Sequence, residues 1–251
     1  MDAVRTMTLD DTRAGQHCAI PVARGIRAGI SLASAGDMAL SRDRTLPWRT
    51  QYLEGLRIGR ERLYALRQVH SRRIHVVDGQ AAEEMARLEG DGLLTDHPDA
   101  VLSVTVADCL PIFLADTRTG AFGVVHSGWR GTGIAAEALA LMAARFGSAA
   151  ADISAVIGPG IGPCCYNVPE DRAEVFLTTY GATTVVRGPD GAPRLDLRAA
   201  NVELLLRGGV RDISVVADCT SCTPSLGSFR RQGAGAYTLM LAWIGRDPPS
   251  A

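Results

Sequence analysis

From about Leu63 onward, short apolar runs alternate with helical patterns, and few folds accommodate that arrangement. The runs have the length of buried strands. Because such strands usually lie in a sheet covered by helices, we predict one α/β domain over residues 1–251, with a central mixed β-sheet flanked by helices. Residues 1–50 show no sustained spacing of apolar residues, and we assign them to a divergent N-terminal part of this domain. The runs read LYALRQVH, AVLSVTVADCLPIFLAD, AFGVVHS, ISAVIGP, ISVVADC and AYTLMLAWI.

Three helical patterns lie between these runs. The first, IAAEALALMAARFG, follows the N-cap candidate Thr132 and ends at Gly147. The second begins at Pro169 and ends at Gly181, since proline suits a first turn and glycine suits a helix end. RAANVELLLRGG is predicted as the third.

The composition excludes several classes of protein. The 26 basic residues are all arginine, because the chain has no lysine, so lysine Schiff bases and Walker-type phosphate sites are ruled out. A net charge of −1 removes the usual electrostatic basis for nucleic-acid binding. The first residues carry acidic groups and no apolar run, which predicts a cytoplasmic protein without a membrane partner. No helix has a spare apolar stripe, so we expect a monomer.

Two histidines and one cysteine stand where apolar runs meet turn residues. His70 ends LYALRQVH, His126 ends FGVVH, and Cys109 interrupts a long apolar run. One thiolate and two imidazoles are favoured ligands of Zn²⁺, and the set would leave a position for water or substrate. The same trio could act without metal, with Cys109 as nucleophile and a histidine as base. It could also be two satisfied histidines beside a buried thiol.

A glycine-rich turn follows His126 and leads into the first helix. Backbone N–H groups at this start, near Gly128, could receive an anion, and Arg130 would add a two-pronged donor for phosphate. The alternative is a tight connection in which Trp129 only packs. Arg230 and Arg231, near the end of the chain, could approach the same anion from a loop.

The other five cysteines are judged by their spacing. Cys219 and Cys222 form a CxxC unit that, with the adjacent pair Cys164 and Cys165, could hold a structural Zn²⁺. We favour structural thiols instead, because adjacent cysteines adopt the geometry of a paired CxxC unit less easily. Cys18 stands alone in the sequence.

Several short blocks, taken in order, resemble the YfiH family of multicopper polyphenol oxidase (laccase-domain) proteins, purine nucleoside phosphorylases and peptidoglycan editing factors. The order of the blocks is more specific than any one of them, and they span about residues 63–233. They are Gln68 to Ser71, Asp91 to Thr95, Ala107 to Pro111, Val125 to Gly131, Ile157 to Tyr166, Asp218 to Thr220 and Ser228 to Arg231.

The resemblance implies a zinc site at His70, Cys109 and His126, with Cu²⁺ as a second metal to test. It implies a purine nucleoside phosphorylase that cleaves adenosine, inosine and methylthioadenosine to a free base and ribose 1-phosphate, with adenosine deaminase activity in addition. A copper-dependent polyphenol oxidase (laccase) is a weaker alternative, since five histidines are few for several copper ions. A peptidoglycan-editing cysteine hydrolase and a binding protein without turnover are the others.

Two segments depart from the family pattern. Near the start, the chain has Arg24 to Ser31 where the family has a His-Gly-Phe-Ser-Thr-Arg-like block. Near the end, Gln232 replaces an aspartate of the family, and the arginine of a following Thr-Gly-Arg block is missing. Both changes leave the Cys-His-His trio intact, so they bear on the choice of substrate.

Overall fold

The computed structural model describes residues 4–9, 13–40 and 47–246. The helices in this part are α1 (Trp48–Gly55), α2 (Ala82–Met85), α3 (Ile134–Phe146), α4 (Glu170–Tyr180), α5 (Leu197–Arg207) and α6 (Phe229–Gln232). The strands are β1 (Val4–Met7), β2 (Arg13–Ala14), β3 (His17–Ala19), β4 (Ile26–Ser31), β5 (Leu63–Tyr64), β6 (Ile74–Val76), β7 (Gly92–Thr95), β8 (Val101–Val106), β9 (Leu110–Asp116), β10 (Phe122–Ser127), β11 (Ile153–Ile157), β12 (Val185–Arg187), β13 (Pro193–Leu195), β14 (Asp212–Val216) and β15 (Met240–Arg246).

Most strands belong to two mixed sheets. The larger sheet has seven strands in the order β1-β14-β11-β9-β10-β7-β6, antiparallel at its centre and parallel at both ends. The smaller has six strands in the order β2-β3-β4-β15-β8-β5 and is parallel only between β8 and β5. The predicted α/β class is confirmed. The single central sheet that we expected is two sheets, with β12 and β13 forming a separate hairpin.

The layers follow from which faces of these elements are apolar. One core cluster joins the two sheets, with Phe113 and Phe122 from the larger sheet and Leu102 and Ile244 from the smaller one. A second cluster packs α3, α4 and α5 on the outer face of the larger sheet. On the far side, α1 packs on the smaller sheet around Trp243. No helix in the described ranges is long and apolar enough to span a lipid bilayer.

The three predicted helices are present, with one corrected cap. Residue Gly133, in the left-handed conformation, is the N-cap of α3, and the hydroxyl of Thr132 instead donates to the Gly128 carbonyl at 2.9 Å. The predicted ends at Gly147 and Gly181 are the C-caps of α3 and α4. An unpredicted cap starts α5, where the Asp196 carboxylate accepts two backbone N–H bonds.

The longest apolar run, residues 100–116, forms two strands that lie in different sheets. Its first part is β8 of the smaller sheet and its second part is β9 of the larger one. The chain crosses between the sheets at Ala107, Asp108 and Cys109, and Asp108 adopts a positive φ of 83° there. The polar break in the run is therefore the point at which the chain leaves one sheet for the other.

The described parts of residues 1–50 contain more regular structure than their sequence suggests. The described part contains β1 to β4, and the divergent segment from Arg24 to Ser31 supplies β4 beside β15. Strands of two to four residues, as β1 to β3 are, give too few positions to reveal a period. That residues 1–251 form one domain stays a prediction.

The β9–β10 hairpin sets the relative positions of two predicted site residues. Its register pairs His126 with Pro111, so Cys109 and His126 lie at the same end of the hairpin. At the other end, the buried Asp116 carboxylate accepts N–H bonds from Arg118 (2.8 Å) and Thr119 (3.3 Å) and the Thr119 hydroxyl bond (2.9 Å). Burial would raise the pKa of Asp116, but bonds from Ser148, Thr119 and Arg118 lower it.

We predict that Asp116→Asn destabilises the protein by about 1–3 kcal/mol at pH 7, because a charged acceptor of several buried bonds is lost. The folded protein lowers the pKa of Asp116, so its stabilising contribution is present above pH ~4 and disappears as the pH falls below that value. Urea unfolding should therefore show a smaller difference in the free energy of unfolding between wild type and Asp116→Asn at pH 3 than at pH 7. An equal difference in the free energy of unfolding between the two proteins at both pH values would contradict this. The control is Asp99→Asn, because the Asp99 side chain is exposed.

Candidate functional site

The structure brings the predicted trio together. The ligand atoms of His70, Cys109 and His126 all lie within 4.8 Å of one another. Cys109 is at the crossover before β9, and His126 is the penultimate residue of β10. The rings of His70 and His126 meet edge to face with centroids 4.9 Å apart. His126 is buried and His70 exposed, so the cluster opens to solvent from the side of His70.

His70 does not end a strand, contrary to the sequence-based prediction. The run LYALRQVH forms a strand only at Leu63–Tyr64, and His70 lies in the loop that follows, with a positive φ of 59°. In the described residues only Arg57, His70 and Asp108 have positive φ without being glycine. Two of these three belong to or adjoin the trio, and such strain persists only where surrounding contacts hold it.

The buried carboxylate of Asp91 holds the His70 loop in place. It accepts backbone N–H bonds from Val69 (3.3 Å), His70 (3.0 Å) and Ser71 (2.6 Å), and a bond from the Ser71 hydroxyl (2.8 Å). Its Oδ1 also lies 2.9 Å from Nδ1 of His126. Because an ionised carboxylate only accepts, His126 carries its proton on Nδ1 and Nε2 is free to bind another group.

These contacts determine the charge of the site. Burial would raise the pKa of Asp91, but the bonds from His126 and Ser71 lower it to about 2. Burial also opposes ionisation of Cys109, yet attraction to His126 and hydrogen bonds with His126 and His70 lower the pKa of this thiol to about 6. Burial lowers the pKa of His126, but the Cys109 thiolate and Asp91 outweigh it and raise this pKa. Without a bound cation the site thus favours a thiolate beside an imidazolium held by a carboxylate.

Gly128 contacts the thiol directly. A Cβ atom at this position would lie 2.6 Å from Sγ of Cys109 and 3.5 Å from the His70 ring. The predicted role of Gly128 was an anion-binding turn. In the structure its lack of a side chain makes room for the thiol next to the two imidazoles.

A cavity of about 600 Å³ opens above the trio. All three residues line it, and the rest of its wall combines apolar and aromatic side chains with polar ones. Its aromatic members are Trp129, Tyr166, Phe229 and Tyr237. Phe229 is 49% exposed and packs edge to face on Tyr237 at 5.2 Å, so two rings stand at an accessible part of the wall.

Of the three arginines predicted to bind an anion, one lines the cavity, and an arginine that was not predicted lines it as well. Arg230 lines the cavity, as predicted, and its guanidinium donates to the Cys165 carbonyl at 2.9 Å. Arg172 lines it as well and lies 4.0 Å from the Trp129 ring centre. Arg130 packs on the same ring at 5.0 Å but does not line the cavity. The guanidinium of Arg231 turns away from it.

Arg231 binds the chain rather than facing the cavity. Its guanidinium donates to the carbonyls of Thr220, Ser221 (3.2 Å), Thr223 (3.1 Å) and Leu226. Its predicted contact with an anion is therefore replaced by four backbone acceptors, which fix the loop before α6. Arginine offers five donors, so it can order a loop whose carbonyls converge in this way.

Asp108 and the divergent Gln232 order the cavity wall around α6. The Asp108 carboxylate accepts from the Thr220 hydroxyl (2.6 Å) and the Arg230 backbone N–H (2.6 Å). The Gln232 side-chain oxygen accepts from the N–H groups of Ser228 (2.8 Å) and Thr238 (3.2 Å). Gln232 does not line the cavity, so the departure from the family pattern that we expected there concerns the support of the wall and not its surface.

Sequence reasoning did not assign functions to Asp91 and Arg172. Asp91 belongs to a block quoted for the family resemblance, and its position just before a buried strand was the available signal. Arg172 lies in the first turn of α4, where the sequence shows an ordinary charged residue. Its position over Trp129 depends on the packing of two distant segments.

The four cysteines that the sequence analysis considered as a second zinc site, and disfavoured, also lie together. The sulfur atoms of Cys164, Cys165, Cys219 and Cys222 lie within 4.8 Å of one another, although the sequence argued against it. The adjacent pair sits in a turn where the N–H groups of Cys165 and Tyr166 both bond to the Gly162 carbonyl, which turns both thiols toward the CxxC unit. Cys18 lies apart, buried beneath the Leu9 carbonyl.

The fold and the site together define the class of protein. It is an α/β protein with two mixed sheets, outer helices and a Cys-His-His cluster at the crossover between the sheets. A family model described as multi-copper polyphenol oxidoreductase laccase matches residues 41–246. The chain therefore belongs to this family, and the resemblance to YfiH proteins is confirmed.

Individual relatives resemble the chain over most of its length. Purine nucleoside phosphorylase YlmD from Geobacillus stearothermophilus is 33% identical over 94% of this chain and 96% of the relative. The crystal structure of YlmD has a TM-score of 0.84 to this fold, over 94% of this chain and 98% of that one. Adenosine deaminase RL5, from an unknown prokaryotic organism, is 36% identical over 84% of each chain. The crystal structure of hypothetical protein YfiH from Bacillus licheniformis has a TM-score of 0.85 at 30% identity, over 93% of this chain and 97% of that one.

We predict that Gly128→Ala raises the pKa of Cys109 toward that of a free thiol, because the new methyl group pushes Sγ away from the imidazoles. The pH dependence of Cys109 alkylation in chelator-treated protein, followed by peptide mass spectrometry, measures this pKa. Gly235→Ala is the matched control, since a Cβ atom there meets nothing within 4 Å. An unchanged alkylation profile in Gly128→Ala would show that the two imidazoles do not activate the thiol.

Proposed function

We propose that the chain is a metal-dependent purine nucleoside phosphorylase that acts in the cavity above the trio. The supporting observation is that His70, Cys109 and His126 share one cavity with aromatic rings and two arginines. A nucleoside and a phosphate ion would meet there, and adenosine, inosine and methylthioadenosine are the substrates we assign. The products are the free base and a ribose 1-phosphate. We take the enzyme to be a cytoplasmic monomer.

The trio suits Zn²⁺ because its donors are one thiolate and two imidazoles, gathered within 4.8 Å and open on one side. His126 would bind through Nε2, since Asp91 keeps the proton on Nδ1. Bound Zn²⁺ supplies a Lewis acid and lowers the pKa of a bound water. The family name implies copper, and the same donor set can bind one Cu²⁺.

The aromatic wall suits a purine. Tyr166, Phe229 and Tyr237 line the cavity, and stacking of a base on an aromatic side chain contributes about 1–3 kcal/mol. Stacking tolerates several bases because each has a π-face, which agrees with activity on both adenosine and inosine. The chain's role in this part of the reaction is to orient the nucleoside above the trio.

The arginines suit phosphate. Arg172 and Arg230 line the cavity, and a guanidinium pairs with a phosphate through two parallel hydrogen bonds. Packing against Trp129 and Tyr166 holds the two guanidinium groups in place. A chain without lysine would thus still bind the co-substrate, and Asp108 supports the arrangement by holding the backbone of Arg230.

Adenosine deamination is the second activity we assign, because RL5, which is 36% identical, is named for it. It consumes water and releases inosine and ammonia, so phosphate is not needed. Oxidation of phenols fits less well. In the described residues only the trio and the four-cysteine cluster are groups that could hold a metal, whereas a multicopper site needs more imidazoles. A Cys109–His126 hydrolase acting on muropeptides would also be independent of phosphate.

The experiment that tests the proposal measures turnover of adenosine and inosine by zinc-loaded protein with and without phosphate. Bases, ribose 1-phosphate and inosine are identified by mass. We expect free base only when phosphate is present, and a loss of at least about a hundredfold in Cys109→Ala. Cys18→Ala removes a thiol far from the cavity and serves as control. The proposal would be refuted if base were released at the same rate with and without phosphate. Full activity and full metal content in Cys109→Ala would also refute it.

We predict that Arg172→Gln raises the KM for phosphate about tenfold or more, which corresponds to about 1.4 kcal/mol of lost binding. The KM for inosine should change less, because the aromatic wall is intact. Arg130→Gln, on the same Trp129 ring but outside the cavity, should have a smaller effect. Initial rates at varied phosphate provide the test. Equal phosphate KM values in wild type and Arg172→Gln would exclude Arg172 from the phosphate site.

A further inference from the structure

A second group of potential metal ligands lies outside the trio and has no part in the reaction described above. Cys164 and Cys165 come from the loop after β11, and Cys219 and Cys222 from the loop after β14. Their sulfur atoms lie within 4.8 Å of one another, and all four are free thiols. Two of the pairs are closer still, with Sγ of Cys222 at 3.6 Å from that of Cys164 and 3.3 Å from that of Cys165.

The spacing of the sulfur atoms fits a four-thiolate site. Zn–S bonds of about 2.3 Å in a tetrahedron place the sulfur atoms roughly 3.8 Å apart. The two short contacts are within about 0.5 Å of that value and no pair exceeds it by more than about 1 Å, so a cation at the centre would need only small side-chain rotations. From these four residues we propose that the two loops form a structural Zn²⁺ site with four cysteine ligands, separate from the Cys-His-His trio.

The backbone beside the cluster donates a hydrogen bond to one of its sulfur atoms. The N–H of Gly162 donates to Sγ of Cys219 at 3.2 Å, as N–H groups do around metal-bound sulfur. Gly162 packs closely on the cluster, since a Cβ atom there would lie 2.5 Å from Nη2 of Arg198 and 3.3 Å from Sγ of Cys164.

Arginine side chains beside such a site would offset part of its charge, although Arg194 and Arg198 also lie near carboxylates. Binding of Zn²⁺ to four thiols forms four Zn–S bonds, releases four protons and leaves a charge of −2. Three arginines have their guanidinium groups hydrogen-bonded to the backbone beside the cluster. Arg194 donates to the Cys164 carbonyl (3.3 Å), Arg230 to the Cys165 carbonyl (2.9 Å) and Arg198 to the Ala217 carbonyl (2.6 Å).

The site would brace one wall of the substrate cavity. The Thr220 N–H, inside the CxxC unit, donates to the Gly160 carbonyl of the other loop at 3.1 Å, and its hydroxyl donates to Asp108. Tyr166, which follows the adjacent pair, lines the cavity. A metal that ties the two loops together therefore holds Tyr166 and the residue before Cys109, without contacting substrate.

Metal content of the full chain tests the proposal independently of activity. The protein is loaded with Zn²⁺ and desalted to remove unbound metal, and its zinc content is measured by elemental mass spectrometry. Circular dichroism monitors unfolding. We expect the Cys219→Ser/Cys222→Ser double variant to hold one zinc fewer than wild type, and Cys109→Ser to lose a different one. Cys18→Ser should keep the wild-type content. Equal zinc in wild type and the double variant overturns the proposal.

Cobalt provides a second readout that does not need the double variant to fold. Cys109→Ser keeps all four cluster thiols, so its Co²⁺-loaded form should show thiolate-to-cobalt charge transfer and the intense visible bands of tetrahedral cobalt. A spectrum that shows only the weak bands of six-coordinate cobalt would overturn the proposal. So would alkylation mass spectrometry that finds the cluster joined by a disulfide in freshly purified, unreduced protein.

Discussion

One buried carboxylate controls the geometry of the site. Asp91 accepts three consecutive backbone N–H groups of the loop that carries His70, and the same side chain binds Nδ1 of His126. Without these acceptors the positive φ of His70 would lose the contacts that maintain it, and three partly buried N–H groups would lose their partner. The carboxylate therefore joins a strained loop to a strand end and fixes which imidazole nitrogen faces Cys109.

The crossover between the two sheets completes the arrangement. Cys109 lies where the chain leaves β8 for β9, and the β9–β10 register brings it level with His126. Asp108 uses its side chain to hold Thr220 and the backbone of Arg230, so the reactive thiol and the cavity wall share one support. Packing of both sheets into a common core leaves this junction little freedom, which suits a site that must hold three donors close together.

The sequence predicts the elements of this fold better than their assembly. Helices α3 to α5 and strands β8 to β11, β14 and β15 follow from apolar periodicity, and the trio follows from polar residues that end or interrupt apolar runs. The division of residues 100–116 between two sheets does not, because a two-residue period looks the same in either sheet. Asp91 and Arg172 act through contacts across the fold, and the adjacent cysteines join the CxxC unit only because a local turn directs both thiols toward it.

The measurement that tests the central claim most directly is anomalous diffraction at the zinc edge from crystals of the zinc-loaded protein. We expect a peak bonded to Sγ of Cys109, to the ring of His70 and to Nε2 of His126, with Nδ1 of His126 still on Asp91. The cavity would then have a metal at its floor, as the proposed phosphorolysis requires. Absence of a peak between these three residues, or a bond through Nδ1 with Asp91 displaced, would contradict the account.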